Sequence, residues 1–269
     1  MRFFIELAYD GGAYHGWQRQ PNALTVQEVL EEVLGKFTGE PAYLTGQGRT
    51  DTGVHARQFF AHWDCVAPPV ELLANPEAWV HTLNRILPAD VSVLRILKVS
   101  PQDHARYSAL SRTYEYQIHW IKNPFRSAYS WQIPAEPLWD RVHEATQLLH
   151  GQRDYSCFAR SGGGQSHGIC DLQLARWEPL GDGAALLKIR ANRFLRNMVR
   201  AIVGTLMEVG RGYRPVSGIP ELLEGGHRSE AGSSAPAHGL HLVQVLYPDT
   251  VWPGPSALSP TSSHQPKAS

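Results

Sequence analysis

Two hydrophobic periods take turns along this chain, and that alternation limits its fold more tightly than any bulk property. Phe3, Ile5 and Leu7 repeat every second residue up to the turn Asp10-Gly11-Gly12, the pattern of a strand. Thr25-Val26-Gln27-Glu28 has the form of a helix capping box. Val26, Val29, Leu30, Val33, Leu34 and Phe37 follow at helical spacing until Gly39. Strands are expected over 58–65 and 91–99, with a short helix after Pro76. Near Asp103 the rhythm starts again. Tyr114, Tyr116, Ile118 and Trp120 alternate as a strand, 138–149 reads as a helix, and 172–177 and 184–191 read as strands. A long amphipathic helix is expected from Phe194 to Met207, with Arg196, Asn197, Arg200 and Gly204 on its polar face; a last strand spans 240–247. Elements in this mixed order imply an α+β fold of two similar halves, 1–102 and 103–250, although the halves share no sequence repeat. Residues 251–269, rich in proline and serine, are expected to be a disordered tail.

A balance of 25 basic and 25 acidic residues argues on its face against a nucleic-acid binder, yet distribution is the better guide. Twenty of the 25 basic residues are arginine, whose planar fork suits phosphate and stacks on bases. Seven basic residues against the single acid Glu208 lie between Lys188 and Arg214; a positive patch and a solvated helix face are both open readings. No run of eighteen apolar residues predicts a membrane span, and the strand-like N-terminus lacks a signal-peptide layout. Cys65, Cys157 and Cys170 are too sparse for a disulfide framework and suggest reduced thiols in the cytoplasm.

The chemistry concentrates in Gly48-Arg49-Thr50-Asp51-Thr52-Gly53-Val54-His55-Ala56. Asp51 sits between glycines with a fixed cation beside it, and Gly46 and Gly48 are expected to give the loop unusual backbone freedom. An aspartate needs no neighbouring base, since its reference pKa is about 3.9, so it can serve directly as a nucleophile or electrostatic anchor. A turn in which Asp51 merely caps a backbone amide is the plain alternative. Tyr9 to Gln20 packs Trp17, Gln18 and Arg19 into a glycine-rich loop able to stack on and hydrogen-bond unpaired bases, or simply to anchor the core. Tyr114 and Tyr116 share one strand face below Arg112, lining a cleft or buried as core. Arg200 is positioned to pair with Asp51 if the fold brings them together. His167 and Cys170 form one close pair with no second pair at zinc spacing, so no metal is expected. Gly162-Gly163-Gly164 lacks the lysine of a P-loop and reads as a flexible loop.

Five ordered segments together resemble the tRNA pseudouridine synthase A (TruA-type) family: YDGGAYHGWQRQ at 9–20, GRTDTGVHA at 48–56, HARYSALSRTYEYQI at 104–118, ANRFLRNMVRAIVGTLMEVG at 191–210 and HGLHLVQVLYP at 238–248. The resemblance implies a pseudouridine synthase fold, with two related halves and a mixed, largely antiparallel sheet around a central cleft. It also implies a cytoplasmic enzyme, usually a homodimer, that isomerises uridine to pseudouridine at positions 38, 39 and 40 of the tRNA anticodon stem-loop, without metal or organic cofactor. Asp51 matches the catalytic aspartate, with attack at sugar C1′ and at uracil C6 both open. Arg200 matches the arginine paired with it. Tyr114 matches the tyrosine that stacks on the flipped uracil and is a candidate base for the C5 proton. Arg49, Arg19 and Gln18 are expected to contact substrate. Thr52 stands where alanine is commoner, Arg193 where a small residue is, and 168–172 lacks an arginine-threonine pair that many members carry, which puts some RNA contacts there in doubt. A scaffold that binds tRNA without catalysis, and a metal site at His167 and Cys170, are the competing readings.

Overall fold

Among the described residues, ten strands and six helices realise the two periods. They are β1 (Arg2–Tyr9), α1 (Val26–Thr38), β2 (Leu44–Gly46), β3 (His55–Asp64), α2 (Val70–Ala74), α3 (Pro76–Asn84), β4 (Val91–Val99) and β5 (Ser111–His119). The chain continues through β6 (Trp131–Gln132), α4 (Trp139–Gln147), β7 (Gly151–Asp154), β8 (Ile169–Gly181), β9 (Ala184–Ala191), α5 (Met198–Gly210), α6 (Gly218–Leu223) and β10 (Leu240–Leu246). The computed structural model describes residues 1–160 and 167–252, so the expected glycine loop at 162–164 and the tail from 253 lie outside the described residues.

One sheet runs through both halves in the order β4-β1-β3-β10-β5-β9-β8-β7, with β2 beside β3 and β6 beside β5. β10 joins the halves: it runs parallel to β3 (His241 opposite His55, Leu242 opposite Ala56) and antiparallel to β5 (Leu242 opposite Tyr114). The last described strand is therefore central to the sheet.

Side-chain alternation sorts the second half into two faces. Tyr114, Tyr116, Leu187 and Ile189 point one way and are buried. Glu115, Lys188 and Arg176 point the other way and form a charged row, with Glu115 paired to Arg57 at 3.4 Å and to Lys188 at 3.6 Å. Lys188 thus belongs to the opposite face from the tyrosines. Arg214 pairs with Glu208 at 3.0 Å, and Arg211 lies over the Trp131 ring. The seven basic residues between 188 and 214 do not form one patch.

Thr25 caps α1 by accepting the Glu28 amide at 3.3 Å, while the Glu28 carboxylate turns to Arg19. The expected helix from Phe194 begins only at Met198. Asn197 adopts a left-handed backbone (φ 67°), which asparagine tolerates, and its side chain donates to Ser234 Oγ at 2.6 Å. The apolar spacing of Phe194 and Leu195 reflects packing of a non-helical turn. Gly204 is not on a solvent face either; it is buried, and a side chain there would overlap the Ser233 carbonyl.

Helix propensity alone makes Gly204→Ala a gain of about 1 kcal/mol. The overlap with Ser233 reverses the sign, and a net loss of roughly 1–3 kcal/mol is expected in urea unfolding. Stability should also fall with acid through two buried histidines. Burial, with Arg2 and His104 nearby, lowers His62 to about 4; burial, with His55 and Arg57 nearby, does the same to His241. Both stay neutral when folded, so their contribution is complete above the unfolded value of about 6.5 and is lost as pH falls towards 4. Urea midpoints between pH 7 and 4.5 should drop less in a His62→Gln/His241→Gln double variant than in wild type; equal drops would refute the assignment.

Candidate active site

Asp51 projects from a loop whose backbone is held on both sides. The Thr50 hydroxyl lies 2.9 Å from the buried Tyr9 hydroxyl, and the Thr50 carbonyl accepts the Trp17 amide at 3.3 Å. The Gly53 amide donates to the Tyr14 carbonyl at 3.3 Å, and the Val54 amide closes a turn onto the Asp51 carbonyl at 3.1 Å. The backbone freedom expected at Gly46 and Gly48 is not what shapes the loop. Gly48 has open space around it and no left-handed backbone, and a side chain at Gly46 would strike Trp17. The close approaches are at Gly16, left-handed (φ 86°) against the Thr50 carbonyl, and at Gly11, against the Val54 carbonyl. The 9–20 segment is thus the bed on which the Asp51 loop lies.

The carboxylate itself remains one-third exposed, and Arg200 Nη1 lies 3.5 Å from its Oδ2. Arg200 rises from the first turn of α5, where its Nε donates to the Ala235 carbonyl at 2.7 Å while its own carbonyl accepts the Ala235 amide. Held this way, the guanidinium keeps one edge for Asp51. The two groups expected to meet if the fold allowed it do meet.

They open into a cleft of about 840 Å³. Seven arginines line it (Arg19, Arg49, Arg106, Arg112, Arg193, Arg196 and Arg200), and Asp51 is the one acid among the lining residues. Tyr114 forms part of the floor, 9% exposed, with Phe194 edge-on to it at 5.2 Å. Burial pushes its hydroxyl up to about 12; Arg112 opposes that shift and Asp51 adds to it. Tyr116, on the same strand face, is core: its ring is fully buried and its hydroxyl donates to the Pro236 carbonyl at 2.8 Å.

The remaining expected site residues divide. Gln18 and Arg49 line the cleft, and Arg49 is exposed with no carboxylate partner among the described residues. Arg19 reaches the rim but pairs with Glu28 at 3.4 Å and Glu31 at 3.3 Å. Arg193 and Arg196 enter the cleft from the segment before α5, so the basic wall owes only Arg200 to the helix.

The sequence places Arg112 beside the two tyrosines but assigns it no role. Its guanidinium donates to the Gln47 side chain at 3.1 Å and to the carbonyls of Gln47, Ala109, Asn192 and Arg106 at 2.7–3.2 Å, with no carboxylate. It stitches three walls of the cleft together while keeping its charge. Its spacing two residues before Tyr114, on the same strand face, was the available signal.

The described residues contain no grouping of three or more His, Cys, Asp or Glu able to hold a metal, and burial raises the Cys170 thiol to about 11. No helix among them is long and apolar enough to cross a membrane.

Residues 145–248 match the family model described as tRNA pseudouridine synthase. A protein of Parabacteroides distasonis named tRNA pseudouridine synthase A is 42% identical over 94% of this chain and 98% of its own length. Proteins of the same name from Bacteroides fragilis (41% identical, 93% of this chain and 98% of its own) and Syntrophotalea carbinolica (40%, 92% and 96%) agree. With a mixed α/β sheet, a cleft around a single aspartate, and identity at this level along nearly all of its length, the chain belongs to the tRNA pseudouridine synthase A family.

Proposed function

We propose that this chain isomerises uridine to pseudouridine in tRNA, at positions 38 to 40 of the anticodon stem-loop, with Asp51 as nucleophile. The observation that carries the reading is an aspartate, singular among the lining residues, facing Arg200 at 3.5 Å in an arginine-lined cleft. The reaction breaks the bond from N1 to C1′, turns the uracil, joins C5 to C1′, removes the C5 proton and leaves a proton on N1. It calls for no metal or organic cofactor.

Each residue then has a task. A uridine in a stem must be unpaired and swung out, at a cost of a few kcal/mol. Contacts from Arg49, Arg106, Arg193 and Arg196 to phosphates offset that cost. Arg200 aims the Asp51 carboxylate, and Tyr114 forms the surface on which the uracil rests, backed by Phe194. Arg19, already engaged with two glutamates, shapes the rim together with Gln18. The Asp51 charge is one of the influences that raise the Tyr114 hydroxyl. The Tyr114 hydroxyl, on the cleft floor, is the candidate group to take up the C5 proton once C5 has joined C1′. Function as a homodimer in the cytoplasm completes the proposal.

Pseudouridine formation in an unmodified tRNA transcript with uridines at 38 to 40 tests this directly. Asp51→Asn should abolish product while tRNA affinity stays within about threefold of wild type; retained turnover would refute the nucleophile. Tyr114→Phe keeps the ring and removes the hydroxyl. It should lower single-turnover rate by at least about tenfold with little change in affinity, the size expected of a lost proton-transfer group.

A further inference from the structure

A second cavity, about 590 Å³, shares no lining residue with the Asp51 cleft and contains Asp10, His55, Tyr129 and His241. Asp10 follows β1 and both its carboxylate oxygens are engaged. Oδ2 accepts the Tyr129 hydroxyl at 2.7 Å, while Oδ1 accepts the Gly12 amide at 2.8 Å and lies 2.9 Å from His55 Nδ1. Burial works against ionisation of Asp10, but the Tyr129 hydroxyl, the Gly12 amide and His55 outweigh it and hold its pKa below the ordinary carboxylate value. Burial likewise lowers His55, against the pull of Asp10.

These contacts lead to the nucleophile's loop. His55 opens β3 four residues beyond Asp51, and its ring stacks on His241 of β10 at 4.8 Å. The Gly11 amide lies 3.1 Å from the same His55 nitrogen, and Gly11 packs against Val54. A second line runs from the Asp10 amide to the Asp90 carbonyl, then from the Asp90 carboxylate to the Tyr14 hydroxyl at 2.6 Å, and from the Tyr14 carbonyl to the Gly53 amide. Tyr129 belongs to the other half of the chain, between β5 and β6. The second line leaves Asp10 through its main chain, while the carboxylate ties His55, at the base of the Asp51 loop, to Tyr129 of the opposite half.

We propose that Asp10, held by Tyr129 and His55, is a positioning residue that fixes the Asp51 loop without touching substrate. This rests on the reading of Asp51 as nucleophile. A carboxylate shifted by about 1 Å loses on the order of a hundredfold in rate, and that sets the scale.

The test compares Asp10→Asn, Tyr129→Phe and the double variant in single-turnover pseudouridine formation, in tRNA binding, and in hydrogen exchange at the Gly53 and Val54 amides. Asp10→Asn should slow the chemical step about 30- to 100-fold and Tyr129→Phe about 3- to 10-fold, each with tRNA Kd within about twofold of wild type. The double variant should be no slower than Asp10→Asn, because both changes break one device. Wild-type rates in both single variants, a loss confined to Kd, or additive losses would each overturn the proposal. If Asp10→Asn does not fold, Tyr129→Phe decides alone, since it removes one hydroxyl from a half-exposed residue. If wild type itself yields no product, the nucleophile reading fails, and exchange still judges the brace. Exchange at Gly53 and Val54 that is about tenfold faster in the variants supports it, and unchanged exchange overturns it.

Discussion

The two-residue parallel pairing of β10 with β3 is the contact on which the site depends. Asp51 belongs to the loop before β3, and Tyr114 lies on β5; neither strand pairs with the other. β10 fills the gap, setting Leu242 opposite both Ala56 and Tyr114. A slip of one residue would turn every β10 side chain to the opposite face. The tyrosine and the aspartate would then lose the spacing that makes them one site.

Electrostatics at the site follow from the same economy of acids. Elsewhere, arginines meet carboxylates: Arg2 with Asp64, Arg57 with Glu115, Arg176 with Glu178. Inside the cleft, Asp51 is the sole acid among the lining residues, and among the described residues only Arg200 approaches it as an ion-pair partner. A formal charge of zero for the whole chain therefore conceals a strongly positive concavity set against a salt-bridged outer sheet face.

Much of this was legible in the sequence because local period reports local structure. β1, α1, β5 and β9 lie where alternation and capping put them. The Asp51–Arg200 contact was open to inference from the residue types, and the structure supplies the 3.5 Å. What could not be read depends on tertiary contact. The start of α5 is set by Asn197 bonding to Ser234, thirty-seven residues away. The important glycines were Gly11 and Gly16, because what constrains them is the backbone of another segment. Arg112's place beside Tyr114 on the strand was legible, but the carbonyls of four residues that it serves were not. The short β2, β6 and β7 carry too few residues to show a period.

Arg112 has a consequence for the protein before any ligand arrives. Carbonyl dipoles solvate its guanidinium but do not cancel the charge, and six further arginines line the same cleft. The cleft is thus a place of internal repulsion, which opposes the compact state. A polyanion that fits there relieves the repulsion as it binds. By linkage it stabilises the native chain by more as its concentration rises above its Kd. A molecule of opposite charge held there would then act as a counterion to the fold itself.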